Sequence, residues 1–134
     1  MKLNWSAIVI GFAVALVLAV ISGLLVAGTN AASLAMSWAT IGVLGGLVAG
    51  YIAGGTVSTG AVHGGIATVL GSIITLAVVT FTTLLFVGLV PTFGVLVGGL
   101  LLVAFYAIPG ALGGAIGSWA NGRRAARKMA GARA

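Results

Sequence analysis

The sequence contains no aspartate, no glutamate and no cysteine, and it has a single histidine, His63. Without a carboxylate, no side chain can orient that histidine as a catalytic base. One histidine without carboxylate or thiolate ligands cannot hold a metal ion, and without cysteine there is no disulfide or thiol chemistry. The glycine pairs lack the lysine or the strand–helix context of phosphate-binding motifs. The composition therefore predicts that the protein is not an enzyme and binds neither a metal nor another cofactor.

Charged residues are also scarce. They make up 4% of the 134 residues, whereas hydrophobic residues make up 61% and the mean hydropathy is +1.33. Soluble domains carry about 25% charged residues, because their surfaces face water. Most of this chain is therefore predicted to lie in hydrocarbon. The net charge of +6 does not indicate a nucleic-acid partner, because nearly all of the basic residues fall in one short C-terminal segment.

Four apolar stretches are long enough to cross a bilayer as helices, which takes about 20 residues each. They cover about residues 5–27, 34–54, 62–90 and 93–119. The stretches show no alternation of polar and apolar residues, which argues against barrel strands, and helices satisfy their own backbone hydrogen bonds. The sequence predicts an all-α membrane protein: a four-transmembrane-helix bundle over residues 1–122 and a basic tail over 123–134.

Proline is predicted to interrupt the fourth span at Pro109. Its ring crowds the carbonyl group of Phe105, one turn earlier, and it has no backbone N–H to donate. The fourth span is therefore expected to bend or to divide into two helices.

Basic residues flank the predicted spans and indicate their orientation. Lys2 precedes the first span, and the tail contains Arg123, Arg124, Arg127, Lys128 and Arg133. Because Lys and Arg are enriched on the cytoplasmic side of membranes, both termini are predicted to be cytoplasmic, in a multi-pass protein of the cell membrane. The tail would also attract anionic lipid, at about 1 kcal/mol per residue near the surface. A topology signal alone is the simpler interpretation.

The first span is expected to remain in the protein. Lys2 and the small residues at positions 29–31 resemble a signal peptide with its cleavage site. The apolar stretch is, however, longer than the roughly 7–15 residues typical of such a peptide, and only one basic residue precedes it.

Glycine is abundant, with 23 residues, and it recurs at a spacing of four within the spans. Residues four apart lie on one face of a helix, and a glycine face lets a second helix approach closely in lipid. The predicted helix-packing residues are Gly42, Gly46, Gly50, Gly54, Gly94, Gly98, Gly110 and Gly114. In the third span, Gly60 and Gly64 begin the same spacing. The pattern predicts glycine-zipper packing, either within the chain or between subunits.

His63 and a stripe of hydroxyl groups form a candidate polar path. Within about 100° on a helical wheel of the third span lie Thr68, Ser72, Thr75, Thr82 and Thr83. An ionisable residue inside a membrane is by default a functional hypothesis. His63 is expected at the membrane boundary, however, where it reaches water, and buried hydroxyls commonly bond to carbonyls one turn earlier. A structural histidine and hydroxyls used in packing are therefore favoured over proton handling and conduction.

Two motifs near the centre of the chain resemble a known family. They are GYIAGG at residues 50–55 and GAVHGG at 60–65, and the chain opens with KLNWSA at 2–7. The resemblance is to small, glycine-rich, four-span archaeal membrane proteins of unknown function, of the kind found in halophiles and methanogens. It covers essentially the whole chain. It implies an archaeal cell membrane and supplies no activity.

The function that these patterns favour is structural. We expect a structural or accessory membrane subunit that assembles through glycine-lined helix faces, as a homo-oligomer or with another membrane protein. One alternative is a small oligomeric channel or transporter with a hydroxyl-lined path, and another is a holin-like pore former, suggested by the small size and the basic tail. The lipid bilayer is the other expected partner.

Overall fold

The computed structural model describes the backbone of residues 3–25 and 31–132 and the side chains of residues 3–22 and 36–132. It contains four α-helices: α1 Trp5–Leu25, α2 Ala31–Ala53, α3 Val57–Phe86 and α4 Leu89–Ala132. Each is long and apolar enough to cross a membrane, and the described ranges contain no strand. The predicted four-helix architecture is confirmed. Lys2, Arg133 and the predicted end of the first span, at about residue 27, lie outside the described residues.

The turn between α2 and α3 is shorter than the loop predicted over residues 55–61. α3 begins at Val57 because Thr56 caps it, with its side-chain oxygen accepting a hydrogen bond from a backbone N–H three residues later. Gly54 and Gly55 have φ values of 60° and 76°, in the left-handed region that glycine adopts readily. Gly54, predicted as a helix-packing residue, is therefore a turn residue that follows the end of α2.

α4 is one helix through Pro109 and into the predicted basic tail. Proline removes one backbone hydrogen bond, but membrane helices tolerate it where neighbouring helices support the backbone. Gly110, the next residue, is buried against α2 and α3, and the expected division into two helices does not occur. At 1.5 Å per residue, the 44 residues of α4 extend about 66 Å, about twice the thickness of the hydrocarbon core.

α2 and α3 form the central pair of the bundle. α4 packs against both of them on one side and α1 packs against both on the other, and within the described ranges α1 and α4 do not meet. Asn4, the turn at residues 54–56 and Asn121 lie at the same end of the bundle, which we call the basic end. The α3–α4 turn around Gly88 lies at the opposite end, which we call the hairpin end.

The interior consists of small residues, and most large apolar side chains face outwards. The buried apolar core is formed by Ala7, Ile8, Ala49 and Ala67. At the hairpin end, Phe86 and Val90 are 82% and 84% exposed. Soluble monomers rarely expose large apolar patches, and the many exposed apolar side chains fit a chain surrounded by lipid.

Candidate functional site

α2 and α4 touch through their backbones at two pairs of glycines. A Cβ atom added at Gly46 would overlap the carbonyl oxygen of Gly110, and one added at Gly50 would overlap that of Gly114. Backbone atoms cannot rotate out of the way as a side chain can. These four residues of the predicted packing set therefore face one another at positions that leave no room for a side chain.

α3 meets the same α4 glycines from another direction. A Cβ atom added at Gly64 would overlap the carbonyl oxygen of Gly110, and one added at Gly60 would overlap that of Gly114. α4 therefore lies in a channel between α2 and α3, and each of these two α4 glycines contacts both helices. We call this three-helix contact the glycine junction.

Several close backbone contacts use glycines outside the predicted set. They are made by Gly11, Gly45, Gly60, Gly64, Gly113 and Gly117. Gly113 and Gly117, for example, fit against the carbonyl oxygens of Val43 and Leu47 in α2. The adjacent glycines at positions 113 and 114 were the feature of the sequence that could have indicated such additional contacts. Two neighbouring positions point about 100° apart on a helix, so such a pair can serve two different helices.

The remaining predicted packing glycines are less closely covered. Gly42 makes ordinary contact, with a methyl group of α3 at 3.5 Å from its Cβ position. At Gly94 and Gly98, no described atom lies within 4 Å of the Cβ position. One position further along α4, the side chain of Leu76 from α3 fills the space at Gly99. Of the two predicted alternatives, packing within the chain is therefore not seen at Gly94 and Gly98 in the described residues, where Leu76 lies between α3 and α4, and packing between subunits stays a prediction.

Gly94 and Gly98 line a groove between α3 and α4 with a volume of about 600 Å³. Its lining also includes Trp38, Ser72, Thr75 and Tyr106. The two hydroxyls donate to carbonyl oxygens of α3 itself, at 2.9 Å and 3.0 Å, and the two aromatic rings lie 6.2 Å apart. We call this the glycine groove, and it presents mainly apolar surface to whatever occupies it.

His63 is fully buried and links the start of α1 to α3. The backbone N–H of Asn4 donates to Nε2 at 2.9 Å, and Nδ1 donates to the carbonyl oxygen of Thr59 at 2.7 Å. Because Nε2 accepts a hydrogen bond, the imidazole ring is neutral, with its proton on Nδ1. His63 thereby pairs a backbone N–H at a helix start, where such groups lack partners within the helix. The expectation that His63 reaches water is wrong, because α1 covers it.

The hydroxyl stripe passes from the interior to the outer surface of the bundle. Thr68 is buried, whereas Thr75 and Thr82 are exposed. Hydroxyls that donate to a carbonyl oxygen one turn earlier in α3, at 2.8–3.0 Å, belong to Thr68, Ser72, Thr75, Thr82 and Thr83. The stripe therefore does not follow one internal line, and each of its hydroxyls is already bonded within its own helix.

The four described cations of the predicted tail are exposed on α4: Arg123, Arg124, Arg127 and Lys128. Nη1 of Arg124 donates to the Tyr51 hydroxyl at 2.9 Å, and the guanidinium carbon of Arg123 lies 4.0 Å from the centre of the Trp119 ring. Nδ2 of Asn121 donates to the carbonyl oxygen of Tyr51, in the last turn of α2, where carbonyls lack partners within the helix. These contacts hold two of the arginines and join α4 to the end of α2.

The sequence model of a family of unknown function, DUF5518, matches residues 5–120, and the chain belongs to this family. The predicted membership of an uncharacterised family is confirmed, while an archaeal origin stays a prediction. No curated protein and no solved structure matches the chain.

Proposed function

We propose that the protein is a structural or accessory subunit of a membrane assembly and that a second copy docks in the glycine groove. One contrast along α4 carries this proposal. Gly110 and Gly114 pack against the backbones of two neighbouring helices, whereas Gly94 and Gly98, at the same spacing, have no described atom within 4 Å. Glycine weakens a helix by about 0.5–1 kcal/mol relative to alanine. In membranes the same residue lets two helices approach closely, and a second copy would use the uncovered pair in that way.

The surface beside the glycine groove supports docking of an apolar partner. Phe93 and Leu101 of α4 are 69% and 71% exposed. α3 has 30 residues and extends about 45 Å, against a hydrocarbon core of about 30 Å. An apolar helix longer than the core is accommodated by tilt or local thickening of the bilayer. A second copy of the α3–α4 hairpin has the same length and would share one such deformation.

A conduit through the single chain is less well supported. In the glycine junction, backbone contacts made by Gly110 and Gly114 fill the space between α2, α3 and α4. The hydroxyls proposed to line a path are bonded within α3, and His63 is enclosed between two helices. These contacts favour a packed scaffold over a conduit that runs through one chain.

Leucine substitutions at Gly94 and Gly98 test the proposal. The Cβ atom of a leucine at either position would meet no described atom within 4 Å, and the groove of about 600 Å³ has room for the rest of the side chain, so the fold should be retained. Overpacking costs about 1–3 kcal/mol, and each substitution should therefore weaken dimerisation by about fivefold to 150-fold. Gly122→Leu is the matched control, because Gly122 also lies on α4 with nothing within 4 Å of its Cβ position, outside the groove.

The measurement is the molar mass of the purified protein in mild detergent across a dilution series, with helix content followed by circular dichroism. The native chain and the Gly122→Leu variant should dimerise equally. The groove variants should remain helical and become monomeric at concentrations where the native chain is dimeric. A native chain that is monomeric both in detergent and in lipid nanodiscs would refute the proposal, as would groove variants with native dimer affinity.

A further inference from the structure

The cations at the basic end have no side-chain carboxylate to pair with. The sequence has six Lys and Arg residues and no Asp or Glu. Four of these cations, at positions 123, 124, 127 and 128, are exposed on α4. Their exposed guanidinium and ammonium groups are therefore available to an anion of another molecule.

The position of two of these cations relative to the bilayer narrows the choice of anion. Asn121 bonds to the last turn of α2, which ends at Ala53, so Arg123 and Arg124 lie at the level where the apolar part of α2 ends. The headgroup layer that borders the hydrocarbon core is about 5–7 Å thick on each side, which is close to one helical turn. Trp119, one turn before Arg123, is half-exposed and fits the aromatic belt at this boundary.

The same two arginines are held in place by aromatic side chains. The guanidinium carbon of Arg123 lies 4.0 Å from the centre of the Trp119 ring. Arg124 donates one hydrogen bond to the Tyr51 hydroxyl at 2.9 Å, and its guanidinium carbon lies 5.9 Å from the centre of that ring. A guanidinium group has five N–H donors, so the contact with Tyr51 leaves four for another acceptor.

We propose that Arg123 and Arg124, positioned by Trp119 and Tyr51, form a binding site for the phosphate group of an anionic lipid. Guanidinium groups bind phosphate through paired, charge-assisted hydrogen bonds, and this pair lies at the depth of the headgroups. Arg127, one turn further along α4, adds charge on the side away from the hydrocarbon. This assignment is independent of the glycine groove and goes beyond a role of the basic residues in topology.

The contacts also have a purely structural interpretation. Arg124 and Asn121 lie at the carboxyl end of α2, where the helix dipole favours a cation and carbonyls need donors. If that were their whole role, their replacement would change stability and leave lipid selectivity unaltered. The test therefore measures both.

The experiment measures lipid binding to the full chain in mild detergent by native mass spectrometry. The probes are phosphatidylglycerol and phosphatidylcholine with identical acyl chains, and sodium phosphate. Near a membrane surface one basic residue contributes about 1 kcal/mol of attraction to anionic lipid, which is a factor of about five. With two arginines, phosphatidylglycerol should bind about 25-fold more tightly than phosphatidylcholine. Arg123→Gln and Arg124→Gln should each reduce that preference about fivefold.

Tyr51→Phe separates a built site from diffuse attraction, because it removes the hydroxyl that holds Arg124 and leaves every charge in place. If the arginines form a defined binding site, Tyr51→Phe should weaken phosphatidylglycerol binding severalfold. If the lipid is attracted only by the overall charge, Tyr51→Phe should leave its binding unchanged. Tyr106→Phe is the matched control, since Tyr106 lies in the glycine groove far from the arginines. Thermal unfolding of each variant shows whether a loss of lipid binding reflects a loss of fold.

Several results would overturn the assignment. Equal affinity for the two lipids would exclude an anionic-lipid site, and binding of sodium phosphate as tight as that of the lipid would indicate a site for free anions. If Tyr51→Phe kept the native preference for phosphatidylglycerol over phosphatidylcholine, the preference would come from the overall positive charge and not from a defined site. Displacement of the bound lipid by soluble polyglutamate at matched charge would indicate an acidic protein partner instead.

Discussion

The glycine junction makes one residue critical for stability, and Gly114→Ala is the smallest change that tests it. A Cβ atom at Gly114 would overlap the carbonyl oxygen of Gly60 and lie 3.0 Å from the Cα atom of Gly64. Both obstructing residues belong to the backbone of α3. The added methyl group can therefore be accommodated only if α3 and α4 move apart as whole helices.

The magnitude follows from two opposing terms. Alanine is more favourable than glycine in a helix by about 1 kcal/mol, and overpacking costs about 1–3 kcal/mol. The upper end applies here, because separating α3 from α4 also disturbs the neighbouring contact between Gly64 and Gly110. We expect a net loss of about 2 kcal/mol for Gly114→Ala. At Gly122 no described atom lies within 4 Å of the Cβ position, so Gly122→Ala should be about 1 kcal/mol more stable than the native chain because alanine has the higher helix propensity. The free energies of unfolding of the two variants should therefore differ by about 3 kcal/mol.

Equilibrium unfolding in mixed micelles, with an increasing fraction of denaturing detergent, measures this difference through the loss of tryptophan fluorescence and helix content. Both variants contain the same residue in the same helix, so intrinsic propensity cancels in the comparison. If Gly114→Ala were as stable as Gly122→Ala, the helices would have room to separate. The close approach at the glycine junction would then contribute nothing to the fold.

Four further predictions concern His63, the orientation in the membrane and the glycine groove. His63→Phe should lose about 1 kcal/mol of stability in the same assay, because it removes the acceptor of the partly buried backbone N–H of Asn4, directly before α1. His63→Gln in liposomes should show the same background proton leakage as the native chain. A pH-dependent flux present only in the native chain would instead favour a transporter. Reporter fusions after Gly55 and after residue 134 should both read cytoplasmic and one after Ala31 external; an external C-terminus would refute the orientation. In this cysteine-free chain, Gly98→Cys should form a disulfide between two copies in membranes. If Gly98→Cys failed to crosslink while a cysteine outside the groove did crosslink, the interface would lie elsewhere.

The four helices were predictable from sequence because crossing a membrane is a local property of length and hydropathy. Their ends were predicted less well where a single side chain decides them. Thr56 starts α3 at Val57, inside the predicted loop, because its oxygen caps the first turn. α4 continues through Pro109 because α2 and α3 support its backbone there, which no local rule about proline takes into account.

Which glycines are covered was not predictable from their spacing. Gly94 and Gly98 repeat the spacing of Gly110 and Gly114, and the difference lies in what α3 places opposite each pair. Near the basic end α3 presents glycines, and towards the hairpin end it presents Leu76. Which α3 residue lies opposite each α4 glycine depends on the register between the two helices, and that register is set by tertiary packing. The burial of His63 has the same origin, because the group that covers it, Asn4, lies 59 residues away in the chain.

The placement of both proposed binding surfaces on α4 has a physical consequence. The glycine junction fixes Gly110 and Gly114 between two backbones, close to the middle of α4. The glycine groove and the Arg123–Arg124 pair therefore lie on a helix that is held near its middle before either partner arrives. Preorganisation of this kind reduces the entropy lost on binding. A lipid phosphate that also contacts Arg124 would hold α4 more firmly against Tyr51 of α2, and the same helix would present Gly94 and Gly98 to a second copy with less freedom to move.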